Sequence, residues 1–313
     1  MFVITTFSIY KQLATHENLD RNWQDILSAI NGSEAWKLYA VLLLMLANWS
    51  IEARKWQILL QHIYTISFWN AFKSVTSGIT FTMLTPNRMG EFVGRVMYVP
   101  DGSRIRAAML TIVSSAGQTI VTLFAGIIGL FMLRHHFGGF GQGSNHLSEI
   151  WVNAVFYGTM GIMVVGLLFF FNIGWLSRLI DKLPIFQRFA YFIAPLEEMK
   201  SWELVRILFL SALRFCVFGG QYYLLLQLFN VEMSVYNAVA SIAVFYLAMA
   251  VIPTFAIAEL GIRGQTSLAI FGIFSSNLLG ILVTTAAIWL INIILPAIAG
   301  SIFVLGIKLF KKE

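Results

Sequence analysis

Long apolar runs follow one another along this chain from residue 36 to residue 309, separated by short polar stretches. By length they read as helices over 36–51 (extendable to 56), 68–84, 107–133, 150–175, 203–229, 238–252 and 277–309. A helix needs about 20 mostly apolar residues to cross a bilayer, and several of these runs reach that length. Charged residues make up 12% of the 313 positions, about half the ~25% of soluble domains. That supply is too small to cover a water-facing surface. The 27 Phe and 9 Trp suit lipid-facing and interfacial positions. The fold class expected is an all-α polytopic membrane protein, with 1–313 as a single transmembrane domain.

The net charge of +6 does not indicate nucleic acid, because the basic residues sit at the edges of apolar runs. They fall into sets around Arg54, Lys55 and Lys73, around Arg88 to Arg106, between Arg178 and Arg206, and at Lys308, Lys311 and Lys312. The positive-inside rule places all four sets on the cytoplasmic side, together with the C-terminus. The lone Cys216 excludes a disulfide or thiolate-metal framework. MFVITTFSIY at the start is too short to span and reads as a partial or interfacial segment. Residues 176–200, with Pro184 and Pro195, read as amphipathic pieces in the interface.

TPNRMGEFVGR, Thr85 to Arg95, places a Pro, two Arg and a Glu directly after the apolar run SVTSGITFTML. If the Arg54/Lys55 and Arg88 to Arg106 sets share one side, 68–84 cannot simply cross. It enters, breaks near Pro86 and returns as a re-entrant hairpin. Non-helical backbone at membrane depth is tolerated only against protein or a wet cavity, so the motif is expected to line a cavity.

The device recurs. PTFAIAELGIRG, Pro253 to Gly264, follows the apolar run SIAVFYLAMAVI. Glu91 to Arg95 and Glu259 to Arg263 share the Glu-x-x-x-Arg spacing, which sets both charges on one helix face in the favoured order. Repeat 1 covers about 36–133, a connecting span and interfacial segment 134–202, and repeat 2 about 203–309. The loop charges give the two repeats opposite orientations. The expectation is an inverted-topology repeat with two re-entrant helical hairpins, an arrangement that places a substrate site near the midplane in transporters.

Arg214 lies deep within 203–229 and is a further site candidate, paired either with substrate or with Glu91 or Glu259. Gln118 and Asn292 read as interhelical hydrogen-bond glue. His135, His136 and His146 flank GGFGQG without metal-ligand spacing, and GGFGQG follows a helix, as a linker does. No catalytic constellation, metal site, cofactor motif or nucleotide motif is expected.

On these residues the chain resembles the lysylphosphatidylglycerol synthase transmembrane family, the flippase-like domain family. One signature of that family, similar to TPgRiGE-x-x-R, matches at Thr85, Pro86, Arg88, Gly90, Glu91 and Arg95. The other, similar to P-x-x-x-G-x-G-x-R-E, is kept at Pro253, Gly261 and Arg263, with Glu259 ahead of the Gly and Gly264-Gln265 where the family has Glu. The resemblance implies a bacterial or archaeal plasma-membrane protein that moves lipids between leaflets. The best-known member of the family carries a cytosolic aminoacyl-transferase; this chain is expected to be a stand-alone member.

The expected function is a flippase-like transporter, not an enzyme, in the bacterial inner membrane. Its substrate is expected to be an anionic or aminoacylated phospholipid or a polyprenyl-phosphate lipid. Arg88, Glu91, Arg95, Arg214, Glu259 and Arg263 are expected to bind substrate, and Pro86, Gly90, Pro253 and Gly261 to act as hinges. The expected partners are membrane lipids, with a second copy of the chain or a lipid-modifying enzyme as protein partners. The alternative reading is a membrane enzyme, or the partner subunit of one, acting on lipid-linked substrates.

Overall fold

The computed structural model describes residues 28, 32–83, 85, 90–134, 146–174, 195–252 and 256–310, and within them it is helical with no strand. The helices are α1 (Trp36–Leu60), α2 (Phe68–Thr82), α3 (Glu91–Val96), α4 (Arg104–Leu133), α5 (His146–Phe171), α6 (Ser201–Leu228), α7 (Val235–Val251), α8 (Ala256–Phe271), α9 (Leu278–Trp289) and α10 (Leu295–Phe310). Among the described residues, Asp101–Leu133, Ile150–Phe171 and Leu278–Gly306 are long and apolar enough to cross a membrane. Trp151, Ile162 and Leu168 of α5 stand exposed. So continuous an apolar surface does not survive in water. The chain is a multi-pass α-helical membrane protein.

The chain divides into two compact units. Unit one holds 1–46, 122–161 and 216–292; unit two holds 47–121, 162–215 and 293–313. Between lipid-embedded helices apolar burial gives little driving force, so close backbone approach and polar contacts do the holding.

In unit two, α2 and α3 form an antiparallel helical hairpin. Ser67 caps α2 by accepting from the Asn70 N–H at 3.3 Å. The Ser74 hydroxyl donates to the Arg95 carbonyl at 2.8 Å. Gly94 lies so close to Ser77 and Gly78 that any Cβ there would meet their backbone. On another face of α2, Gly300 of α10 packs against the Thr76 carbonyl, and the Thr80 hydroxyl donates to the Ala297 carbonyl at 2.8 Å.

In unit one, α7 and α8 make the second helical pair. Ser234 caps α7 by accepting from the Asn237 N–H at 3.2 Å. Buried Tyr222 of α6 stacks on Phe271 of α8 at 5.1 Å between ring centres and lies 5.3 Å from Phe245 of α7. Its hydroxyl pairs with Thr285 of α9 at 2.7 Å.

Two boundaries differ from expectation. Helix α1 runs on to Leu60, so Lys55 is a helix residue and fully buried, not part of a loop; Arg54 alone of that pair is exposed. The final span carries a π-helical turn at Leu290–Ile294. Pro296 explains it: a proline lacks the N–H that would bond four residues back, and its ring crowds the carbonyl there.

Candidate functional site

The site begins on α1, where Asn48, Glu52 and Lys55 recur at helical spacing and share one face. All three are buried to within 1% of full coverage, and Trp49 and Trp56 of the same helix are 8% and 0% exposed. A membrane helix tolerates such a stripe only against polar partners. The partners come from other segments of unit two.

Glu52 is the centre. Its Oε1 accepts from Arg95 Nη2 at 2.6 Å and from the Ser114 hydroxyl at 2.9 Å. Its Oε2 accepts from Lys55 Nζ at 2.8 Å and from Arg214 Nη1. Both oxygens are thus saturated by three cations and a hydroxyl. Lys55 also reaches the Ser211 hydroxyl at 3.3 Å, and Arg214 Nε donates to Asn48 Oδ1 at 2.8 Å.

The α2–α3 hairpin delivers Arg95. Helix α3 starts after Gly90, whose N–H donates to the Thr85 hydroxyl at 2.6 Å and which sits against Phe81 where a Cβ would collide. One turn of α3 sets Glu91 above Arg95, and Arg95 Nη2 donates to Glu91 Oε1 as well as to Glu52. The Glu91 side chain is 27% exposed, against 2% for Arg95 and Glu52, so it forms the cluster's open edge.

Three cations meet two carboxylates here, leaving one net positive charge among the described residues. The Arg95 guanidinium lies 5.2 Å from the Trp56 ring and that of Arg214 lies 5.3 Å from Trp49, within cation–π range. Four buried donors in this region face no acceptor: Arg95 Nε and Nη1 and the indole N–H groups of Trp49 and Trp56. Buried donors are nearly always satisfied in folded proteins, so a concentration of them beside surplus positive charge marks a place suited to an oxyanion.

The second Glu-x-x-x-Arg lies in unit one, on α8. Arg263 donates to Glu259 Oε1 through Nε at 2.9 Å and Nη2 at 2.6 Å, with side chains 11% and 14% exposed. Gly261 is buried between them in the helix.

Of the expected site residues, Glu91, Arg95 and Arg214 come together, with Glu52 as the shared partner in place of the Glu91 or Glu259 expected for Arg214. Glu259 and Arg263 pair with each other in the other unit. Arg88, Pro86 and Pro253 lie outside the described residues, as do His135, His136, the N-terminal segment and most of 176–200. Among the described residues of the motif, Arg95 is packed against Glu52 and Glu91 keeps partial exposure. A cavity of about 300 Å³ does occur in unit one, lined by Lys37, Tyr223, Gln227, Asn230 and Glu232 among others, and it includes none of the expected site residues.

Sequence reasoning missed Glu52 and Lys55 because they stood near the expected end of a helix, where charge needs no explanation. The signal was present: Asn48, Glu52 and Lys55 keep helical spacing between tryptophans. Another missed signal is a likeness between the starts of α2 and α7. Both hairpins open on a serine cap followed by an aromatic-Asn-Ala series, Ser67-Phe68-Trp69-Asn70-Ala71 and Ser234-Val235-Tyr236-Asn237-Ala238. The motif glutamates follow their caps by 24 and 25 residues.

A comparison with curated proteins finds no match. The sequence model of one family, described as the lysylphosphatidylglycerol synthase TM region, matches residues 18–300, a span that contains both hairpins and every residue of the buried cluster. The chain belongs to the lysylphosphatidylglycerol synthase TM region family.

Proposed function

We propose that this protein is a flippase-type lipid translocase in which the Glu52-centred cluster receives the anionic headgroup while the acyl or prenyl chains stay in the bilayer. The observation that carries this reading is the cluster itself. Burying an ion in a membrane helix costs at least about 2.5 kcal/mol by insertion scales. Buried ion pairs are poor stabilisers compared with apolar packing, so bracing alone is a weak reason to keep five charged groups here. Headgroup transfer is limited by the cost of taking charge out of water, and pre-positioned donors lower that cost.

In this reading the α2–α3 and α7–α8 pairs are re-entrant hairpins of an inverted repeat. The basic ends and the C-terminus face the cytoplasm of a bacterial inner membrane, and rocking of one repeat against the other alternates access. Glu91, at the open edge, is where a headgroup first meets the site. The lipid is moved and not altered. The family supports a lipid-related membrane role in general; the translocation step is our inference.

The test is leaflet asymmetry of a labelled anionic phospholipid in proteoliposomes, with mass spectrometry of the recovered lipid. Wild-type protein should equilibrate unaltered lipid, and Arg95→Ala should abolish the effect. Equal rates for the two would remove the cluster from the mechanism. Chemically converted lipid would point to an enzyme instead.

A further inference from the structure

The charge count of the cluster raises a question that the translocase reading leaves open: which anion does it fit? Lys55, Arg95 and Arg214 contribute three positive charges, and Glu52 and Glu91 two negative ones. We propose that Glu52 is a charge-selectivity residue, setting the buried site to accept a headgroup phosphate with a single negative charge and to reject one with two. This rests on the reading of the cluster as a headgroup site.

Two independent features support it. The first is electroneutrality. With Glu52 ionised and fixed by four donors, one added negative charge brings the described cluster to zero. A further one would leave uncompensated charge in a low-dielectric interior, where an unbalanced ion costs several kcal/mol. The other feature is donor geometry. Glu52 consumes Arg95 Nη2, Arg214 Nη1, Lys55 Nζ and the Ser114 hydroxyl, leaving Arg95 Nε and Nη1 and the indole N–H groups of Trp49 and Trp56 without acceptors. Two of these four donors are uncharged indoles, and the other two belong to a cation already shared by two carboxylates. That set suits the diffuse charge of a phosphodiester better than a compact dianion.

A minimal pair of lipids isolates the variable. Phosphatidylmethanol and phosphatidate with the same short acyl chains differ by one methyl group, and at neutral pH phosphatidate carries the larger negative charge. Each is titrated at about pH 7 into purified full-length protein in detergent, with thermal unfolding as the readout of binding. Wild-type protein should favour phosphatidylmethanol by at least about tenfold, the ratio that corresponds to ~1.4 kcal/mol. Glu52→Gln keeps an acceptor oxygen and removes the charge, so it should erase or invert that preference. Glu91→Gln removes one carboxylate from the more exposed edge, keeps the fixed core, and should shift the preference in the same direction; it serves if Glu52→Gln does not fold.

A wild-type preference for phosphatidate, binding of neither lipid, or a preference unmoved by either substitution overturns the proposal. The two readings fail separately. Translocation that is normal while selectivity ignores Glu52 refutes the charge rule and leaves transport standing. Selective binding with no leaflet exchange refutes transport and leaves the charge rule standing.

Discussion

Glu52 and Arg95 stand 43 residues apart in sequence, yet Arg95 Nη2 donates to Glu52 Oε1 at 2.6 Å with both side chains 2% exposed. One residue belongs to a long helix and the other to a six-residue helix ending a hairpin. Their bond joins the motif arginine to a carboxylate that also holds Lys55 and Arg214.

That shared carboxylate makes the two residues unequal. Removing Glu52 strands two buried cations, Lys55 and Arg214, and leaves Arg95 with Glu91 alone, whereas removing Arg95 leaves Glu52 still paired with two and frees only the half-open Glu91. Glu52→Ala should therefore destabilise more than Arg95→Ala, at or above the top of the about 3–5 kcal/mol range for breaking a buried pair. The double variant should lose less than the sum of the two. Chemical unfolding in detergent measures this; equal losses for the two single variants would contradict the hub arrangement.

Gly94 gives another sharp prediction. A methyl group there meets the backbone of Ser77 and Gly78, which cannot rotate aside as a side chain can. Gly94→Ala should cost about 1–3 kcal/mol, the range for overpacking, and should separate α3 from α2. A cysteine pair at Ser74 and Tyr98 would report the separation as slower cross-linking. Unchanged stability and cross-linking would mean that α2 and α3 pack loosely enough to admit a methyl group.

The Glu259–Arg263 pair should matter less to stability than the Glu52 cluster. It is local to one helix turn and retains 11–14% exposure. Glu259→Gln is expected to cost between the ~1 kcal/mol of an exposed pair and the ~3 kcal/mol of a buried one. A loss as large as that of Glu52→Ala, measured the same way, would mean that Glu259 has partners beyond Arg263.

Cys216 tests the membrane placement without any substitution. It is exposed on α6. In water an exposed thiol is within reach of a water-soluble maleimide, and a thiol facing lipid is not. In native membranes Cys216 should resist labelling, and in dodecyl sulfate it should label fully. Rapid labelling in intact membranes would place this stretch of α6 in water.

Much of this was legible in the sequence because it depends on local properties. Low charge and long apolar runs determined a helical membrane protein. The Glu-x-x-x-Arg spacing marked the two ion pairs Glu91–Arg95 and Glu259–Arg263, since four-residue spacing on a helix needs no tertiary information to pair a Glu with an Arg. Arg214 stood out by depth alone.

What only the tertiary structure decided is which charges share a site. Lys55 resembled a loop cation because helix length cannot be read where charges begin; α1 continues to Leu60, and on it Lys55 meets Glu52 and Ser211. The motif arginine meets a carboxylate from another helix. Sequence records that a charge is buried; packing chooses its counterion, because in a low-dielectric interior only contact distance settles which pair forms.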